Sequence, residues 1–110
     1  MDITKLHIAD GQIEGLTSTR QSLRIEFRDW QEGIWLLDFP DATAFESISA
    51  EGEDLAEVRI EESNDWLLGV KNTVQDELPD ARCYSFMSAW SGTAVLRVVA
   101  KECRVGAKVT

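Results

Sequence analysis

The chain has 110 residues, with twenty Asp/Glu against eleven Lys/Arg and a formal net charge of −9. That length suits one β-rich domain spanning 1–110 and is too short for two independent cores. The negative balance argues against nucleic acid and anionic membrane surfaces as partners, because the Coulomb and counterion-release contributions both oppose association.

Four Trp and four Phe within a 44% hydrophobic composition supply large core side chains, so the charge does not signal disorder. The charge is also lopsided. Residues 29–80 hold fifteen acids against only Arg59 and Lys71, whereas the flanks hold five acids and nine bases.

The N-terminus, Met1-Asp2-Ile3-Thr4-Lys5, lacks a basic segment followed by an apolar run. No stretch approaches the roughly eighteen apolar residues of a membrane span, and a cytoplasmic protein is expected.

In chain order, Leu6–Ile13 reads as a hairpin turning at Asp10-Gly11, with Ile8 opposite Ile13. A second hairpin joins Leu23–Arg28 to Trp35–Phe39. A three-residue Gln31-Glu32-Gly33 loop pairs Phe27 with Leu37 and Ile25 with Phe39, keeping one apolar face, with Gly33 as the left-handed residue. Pro40-Asp41 ends that strand. Residues 42–50 favour a short strand, 51–54 a loop, and 57–61 an alternating strand.

Leu67, Val70, Val74 and Leu78 recur at helical spacing and predict one helix near 65–78. Asn64 or Asp65 caps its start and Pro79 lies beyond its end. The third hairpin runs from Cys83 to Trp90 and from Thr93 to Cys103 across Ser91-Gly92, placing Cys83 opposite Ala100 and Cys103 on the other side of the sheet. A Cys83–Cys103 disulfide is therefore not expected. Both faces of this hairpin are apolar, so it belongs in the centre of the sheet with the helix on one side. Together these elements predict an α+β fold: an antiparallel β-sheet of about six or seven strands built from hairpins, forming a sandwich or partly open barrel, with one helix.

The residues contain no catalytic constellation, and no cofactor or metal is expected. His7 is the only histidine and points away from Leu6 and Ile8. Glu51-x-Glu53-Asp54 lacks the spacing of a calcium loop. Glu61, Glu62 and Asp65 sit where a helix start favours acids.

Two function classes follow. One is a non-enzymatic interaction domain in which Glu46, Glu51, Glu53, Asp54, Glu57, Glu61, Glu62 and Asp65 dock a basic protein partner, as small acidic immunity proteins do with cationic toxins. The other is a small-ligand or sugar site on an aromatic sheet face made by Tyr84, Phe86 and Trp90. Trp30 is the other aromatic expected at the surface. Exposed strand edges would allow a homodimer, which nothing in the residues specifies.

The segments Asp29-Trp30-Gln31 and Tyr84-Ser85-Phe86-Met87-Ser88-Ala89-Trp90 resemble those of small bacterial proteins of unknown function over much of the chain. The resemblance implies a small cytoplasmic bacterial protein of related fold and supplies no catalytic residue.

Overall fold

A computed structural model describes residues 1–108. Among them are eight strands: β1 (Gln12–Ser18), β2 (Leu23–Arg28), β3 (Ile34–Phe39), β4 (Ala44–Ser47), β5 (Leu55–Glu61), β6 (Arg82–Ser88), β7 (Ala94–Ala100) and β8 (Arg104–Ala107). One helix, α1 (Asp65–Val74), joins β5 to β6. All strand pairs are antiparallel, in two four-stranded sheets ordered β1-β2-β3-β8 and β4-β7-β6-β5. The antiparallel sheet with one helix agrees with expectation; the strand count is eight rather than six or seven. Among the described residues the sheets are not closed into a barrel and are joined by the isolated bridges Gln12↔Asp54 and Ile13↔Glu51.

The expected Leu6–Ile13 hairpin does not form. Ile3–Lys5 make a single 3-10 turn capped by Asp2, and the chain turns at Ala9-Asp10, where Gly11 N donates to Ile8 O at 3.0 Å. Gly11 serves closeness rather than turning: a Cβ there would lie 2.3 Å from the Phe27 ring. The strand that begins at Gln12 instead pairs with β2 through a connection, Thr19–Ser22, that lacks Gly and Pro.

In the second hairpin the strands are right and the register is two residues away. Phe27 faces Trp35 and Ile25 faces Leu37. The reason is Asp29, whose carboxylate accepts from Gln31 N (2.9 Å), Gly33 N (2.8 Å) and Trp35 Nε1 (2.9 Å) and so stabilises a five-residue loop. Glu32, not Gly33, takes the positive φ of 66°. An even slip preserves the faces, so Ile25, Phe27, Leu37 and Phe39 all remain buried.

The third hairpin slips by one, which exchanges its cross-strand partners. Cys83 pairs with Val99 rather than Ala100. Ser88 Oγ accepts from Trp90 N (3.1 Å) and Ser91 N (3.2 Å), and Gly92 takes a φ of 70°, so the connection runs over five residues and not two. Tyr84 and Phe86 thus share a face with Val98 and Leu96, and all four lie in the main core, with Phe39 edge-on to Tyr84 at 5.0 Å between centroids.

On the outer side of the second sheet, Cys83 and Val99 pack with Leu67 and Ala81, flanked by Trp66, Val70 and Leu78. The helix thus covers one side of this hairpin, the side that carries Cys83 and Val99. Asn64 caps it, its side-chain oxygen accepting from Leu67 N at 2.7 Å. It ends at Val74 because Gln75 adopts the left-handed conformation, four residues short of Leu78.

Candidate functional site

The eight acidic candidates do not share one surface. Glu46 lies on β4 and the others lie on or beside β5; these strands are opposite edges of the second sheet, three strand spacings or about 14 Å apart. Glu46 also faces Arg97 across β4–β7 and pairs with it at 3.8 Å. It leaves the group on both counts.

The remaining seven follow one path, from the loop before β5 to the first residue of α1. Glu51 lies at its start, exposed. Glu53 accepts from Ser88 Oγ at 2.6 Å, and Asp54 accepts from Gln12 Nε2 at 2.6 Å and from Trp90 Nε1 at 3.0 Å. The hydrogen bonds from Gln12 and Trp90 hold the Asp54 carboxyl below its ordinary pKa. These donors are neutral, so they fix the carboxylates without cancelling their charge.

Along β5 itself, Glu57 forms an ion pair with Arg59. Glu61 accepts from Asn64 Nδ2 at 3.4 Å. Glu62 is exposed, and Asp65 opens the helix, where a negative charge suits the dipole. Among the described residues only Glu46 and Glu57 of the eight have a cation within 4.0 Å.

The aromatic row is overturned. Tyr84 and Phe86 are 0% exposed in the core, whereas Trp90 is 80% exposed in the β6–β7 connection. Tyr84 and Phe86 lie on the inner face of β6 and Trp90 lies beyond its end, so the three share no surface. Tyr84 is a core residue: its hydroxyl accepts from Arg82 at 3.1 Å, and burial raises its pKa.

The expectation of an exposed Trp30 agrees with its 55% exposure, with its ring 5.7 Å from that of His7. His7 is exposed as expected, but it lies outside any strand. No group of three or more His, Cys, Asp or Glu among the described residues is arranged to hold a metal ion.

The contacts between Trp90 and Asp54 and between Ser88 and Glu53 escaped sequence reading. They join residues 36 and 35 positions apart through a turn whose length was misjudged. A groove of about 440 Å³ also crosses the uncovered outer face of the second sheet beside Trp66, but its two guanidinium groups, Arg59 and Arg97, are already paired with Glu57 and Glu46.

Among the described residues no helix is long and apolar enough to cross a membrane. Comparisons with protein-family models, with curated proteins and with solved structures found no match.

Proposed function

We propose that the protein is a non-enzymatic interaction domain that docks a basic protein partner along its β5 edge. The observation that carries this reading is the run of carboxylates from Glu51 to Asp65, six of which have no cationic partner among the described residues while Asp54 is held ionised. Uncompensated charge along one edge produces a field that steers a cationic partner and raises its association rate.

Trp90 adds an anchor beside that edge. Its indole is exposed yet oriented by Asp54, and Trp at such positions is suited to stacking against an Arg side chain. The sugar-binding alternative has lost its platform, since two of its three aromatics are core residues. A cytoplasmic address belongs to the same reading, supported by the unpaired thiols of Cys83 and Cys103.

The test is binding of an oligo-arginine peptide followed by stopped-flow fluorescence. The association rate is expected to fall steeply as ionic strength rises from about 0.01 M to 0.15 M, which shortens the Debye length from about 30 Å to 8 Å. The E51K/E62K/D65K variant is expected to lose at least tenfold in affinity, while an E14K/E26K control on the first sheet changes it little. A rate indifferent to salt, or equal losses in both variants, would remove the β5 edge as the docking site.

A further inference from the structure

Six of the eleven Lys/Arg form ion pairs: Arg24, Arg28, Arg59, Arg97, Arg104 and Lys108. Among the described residues the other five are Lys5, Arg20, Lys71, Arg82 and Lys101. Three of these five line a single cavity of about 500 Å³: Lys71 on α1, Arg82 at the start of β6, and Lys101 just past β7. In a chain of net charge −9, the convergence of three unpaired cations on one concavity is not accounted for by solubility, which their dispersal would serve better.

The fold brings them together. Arg82 pairs with Ala100, so Lys101 flanks the opening of β6, and the segment returning from the helix runs beneath Lys71. That segment is unusual: Leu78 and Asp80, both bordering the cavity, hold positive φ angles of 43° and 44°. Leucine rarely adopts this conformation, and such residues gather at ligand sites when the surroundings over-determine them. Here Leu78 N donates to the Asp76 carboxylate at 2.8 Å and Ala81 N donates to Leu78 O at 3.0 Å.

Arg82 is itself held in place. Its guanidinium lies 5.5 Å over the Tyr84 ring and donates one N–H to the Tyr84 hydroxyl, leaving further donors in its planar fork. Glu62 and Asp80 also border the cavity, so its charged side chains sum to +1 in a molecule of the opposite sign.

We infer that this cavity binds the dianionic phosphate group of a small, hydroxyl-bearing molecule. Lys71 and Lys101 meet the phosphate as point charges, while Arg82, whose guanidinium is held on the Tyr84 side of the sheet, adds its charge at the rim of the cavity. The carboxylates of Glu62 and Asp80 supply acceptors for hydroxyls on the organic part, and the volume suits a ligand of metabolite size. Free phosphate presents the same group, so the two sources are separated by experiment.

The protein is titrated with inorganic phosphate, glycerol 3-phosphate, and glycerol with chloride, at constant ionic strength, and backbone amides are followed by heteronuclear NMR. Both phosphates are expected to give saturable shifts at Ala81, Arg82 and Lys101 and none in the Trp30 loop, while glycerol with chloride gives none. Tighter binding of the ester identifies the small molecule as the ligand, and equal binding identifies the free ion.

K71Q/K101Q is expected to weaken binding about tenfold per lysine removed, and K71R/K101R to retain it. K101Q alone, at an exposed position, repeats the test should the double variant not fold. Non-saturable shifts, or affinity unchanged in K101Q, would overturn the inference. Neither outcome bears on the β5 edge, because K71Q/K101Q and K101Q leave every carboxylate from Glu51 to Asp65 in place.

Discussion

Burial along β2, in the first sheet, alternates, whereas β6 in the second is buried on both sides beyond its first residue. The first sheet turns its outer face to solvent and covers it with cross-strand ion pairs: Arg24–Asp38 at 2.7 Å, Arg28–Glu14 at 2.6 Å and Lys108–Glu26 at 2.7 Å. The second sheet gives part of its outer face to α1 and gathers seven carboxylates along its β5 edge around a single cation, Arg59, which is paired with Glu57.

Exposed pairs of this kind contribute about 0–1 kcal/mol each, so their importance on the first sheet is neutrality more than stability. Acid content alone therefore does not make a field. The position of the bases decides it: Arg59 is the one base between Glu51 and Asp65, against seven carboxylates.

Truncating the core on each side of the second sheet separates the contributions of its two faces. Phe39→Ala, between the sheets, is expected to cost about 4 kcal/mol in urea unfolding, and Leu67→Ala, beneath the helix, about 3 kcal/mol. The reverse order would make the helix layer, rather than the contact between sheets, the main source of stability.

Asp29→Ala removes the carboxylate that organises the first sheet's loop and is expected to cost about 1–2 kcal/mol. The Trp35 hydrogen bond and the loop backbone hold this carboxyl below its ordinary 3.8. A carboxylate with a lowered folded value stabilises fully above the unfolded value and loses that contribution as pH falls from it through the folded one. Asp29→Ala should therefore flatten the acid limb of stability against pH below about 4. Asp54→Asn tests the same limb on the second sheet, with a smaller effect because two donors hold that carboxylate rather than three.

The smallest effect concerns the thiols. Burial raises the Cys103 pKa to about 12, with Asp38, Asp2 and Glu102 adding to it, so alkylation by iodoacetamide at pH 8 should be negligible until the protein unfolds. Rapid native alkylation would show that the β7–β8 connection opens.

Much of the fold was legible. The alternation in Leu23–Arg28, the doubly apolar third hairpin, the Asn64 cap and the helix covering one face all follow from local pattern. The register of the hairpins was not, because loop length depended on side chains reaching back to the backbone: Asp29 in one loop and Ser88 in the other. An error of two residues left the first assignment of faces intact. An error of one exchanged the partners in the second, so that Tyr84 and Phe86 face Val98 and Leu96.

Of the acidic group, the run Glu51–Asp65 was visible as composition. The departure of Glu46 to the far edge was not, nor was the anchoring of Asp54 by Trp90.

By itself the sequence determined the antiparallel, hairpin-built character of the chain, its single helix and its imbalance of charge, because period, capping and composition are local properties. Only the tertiary structure decided which carboxylates keep their charge uncompensated and which cations meet in one cavity. Those outcomes depend on strand order and register, which bring Gln12 to Asp54 and place Lys101 beside Arg82 across distances no local pattern records.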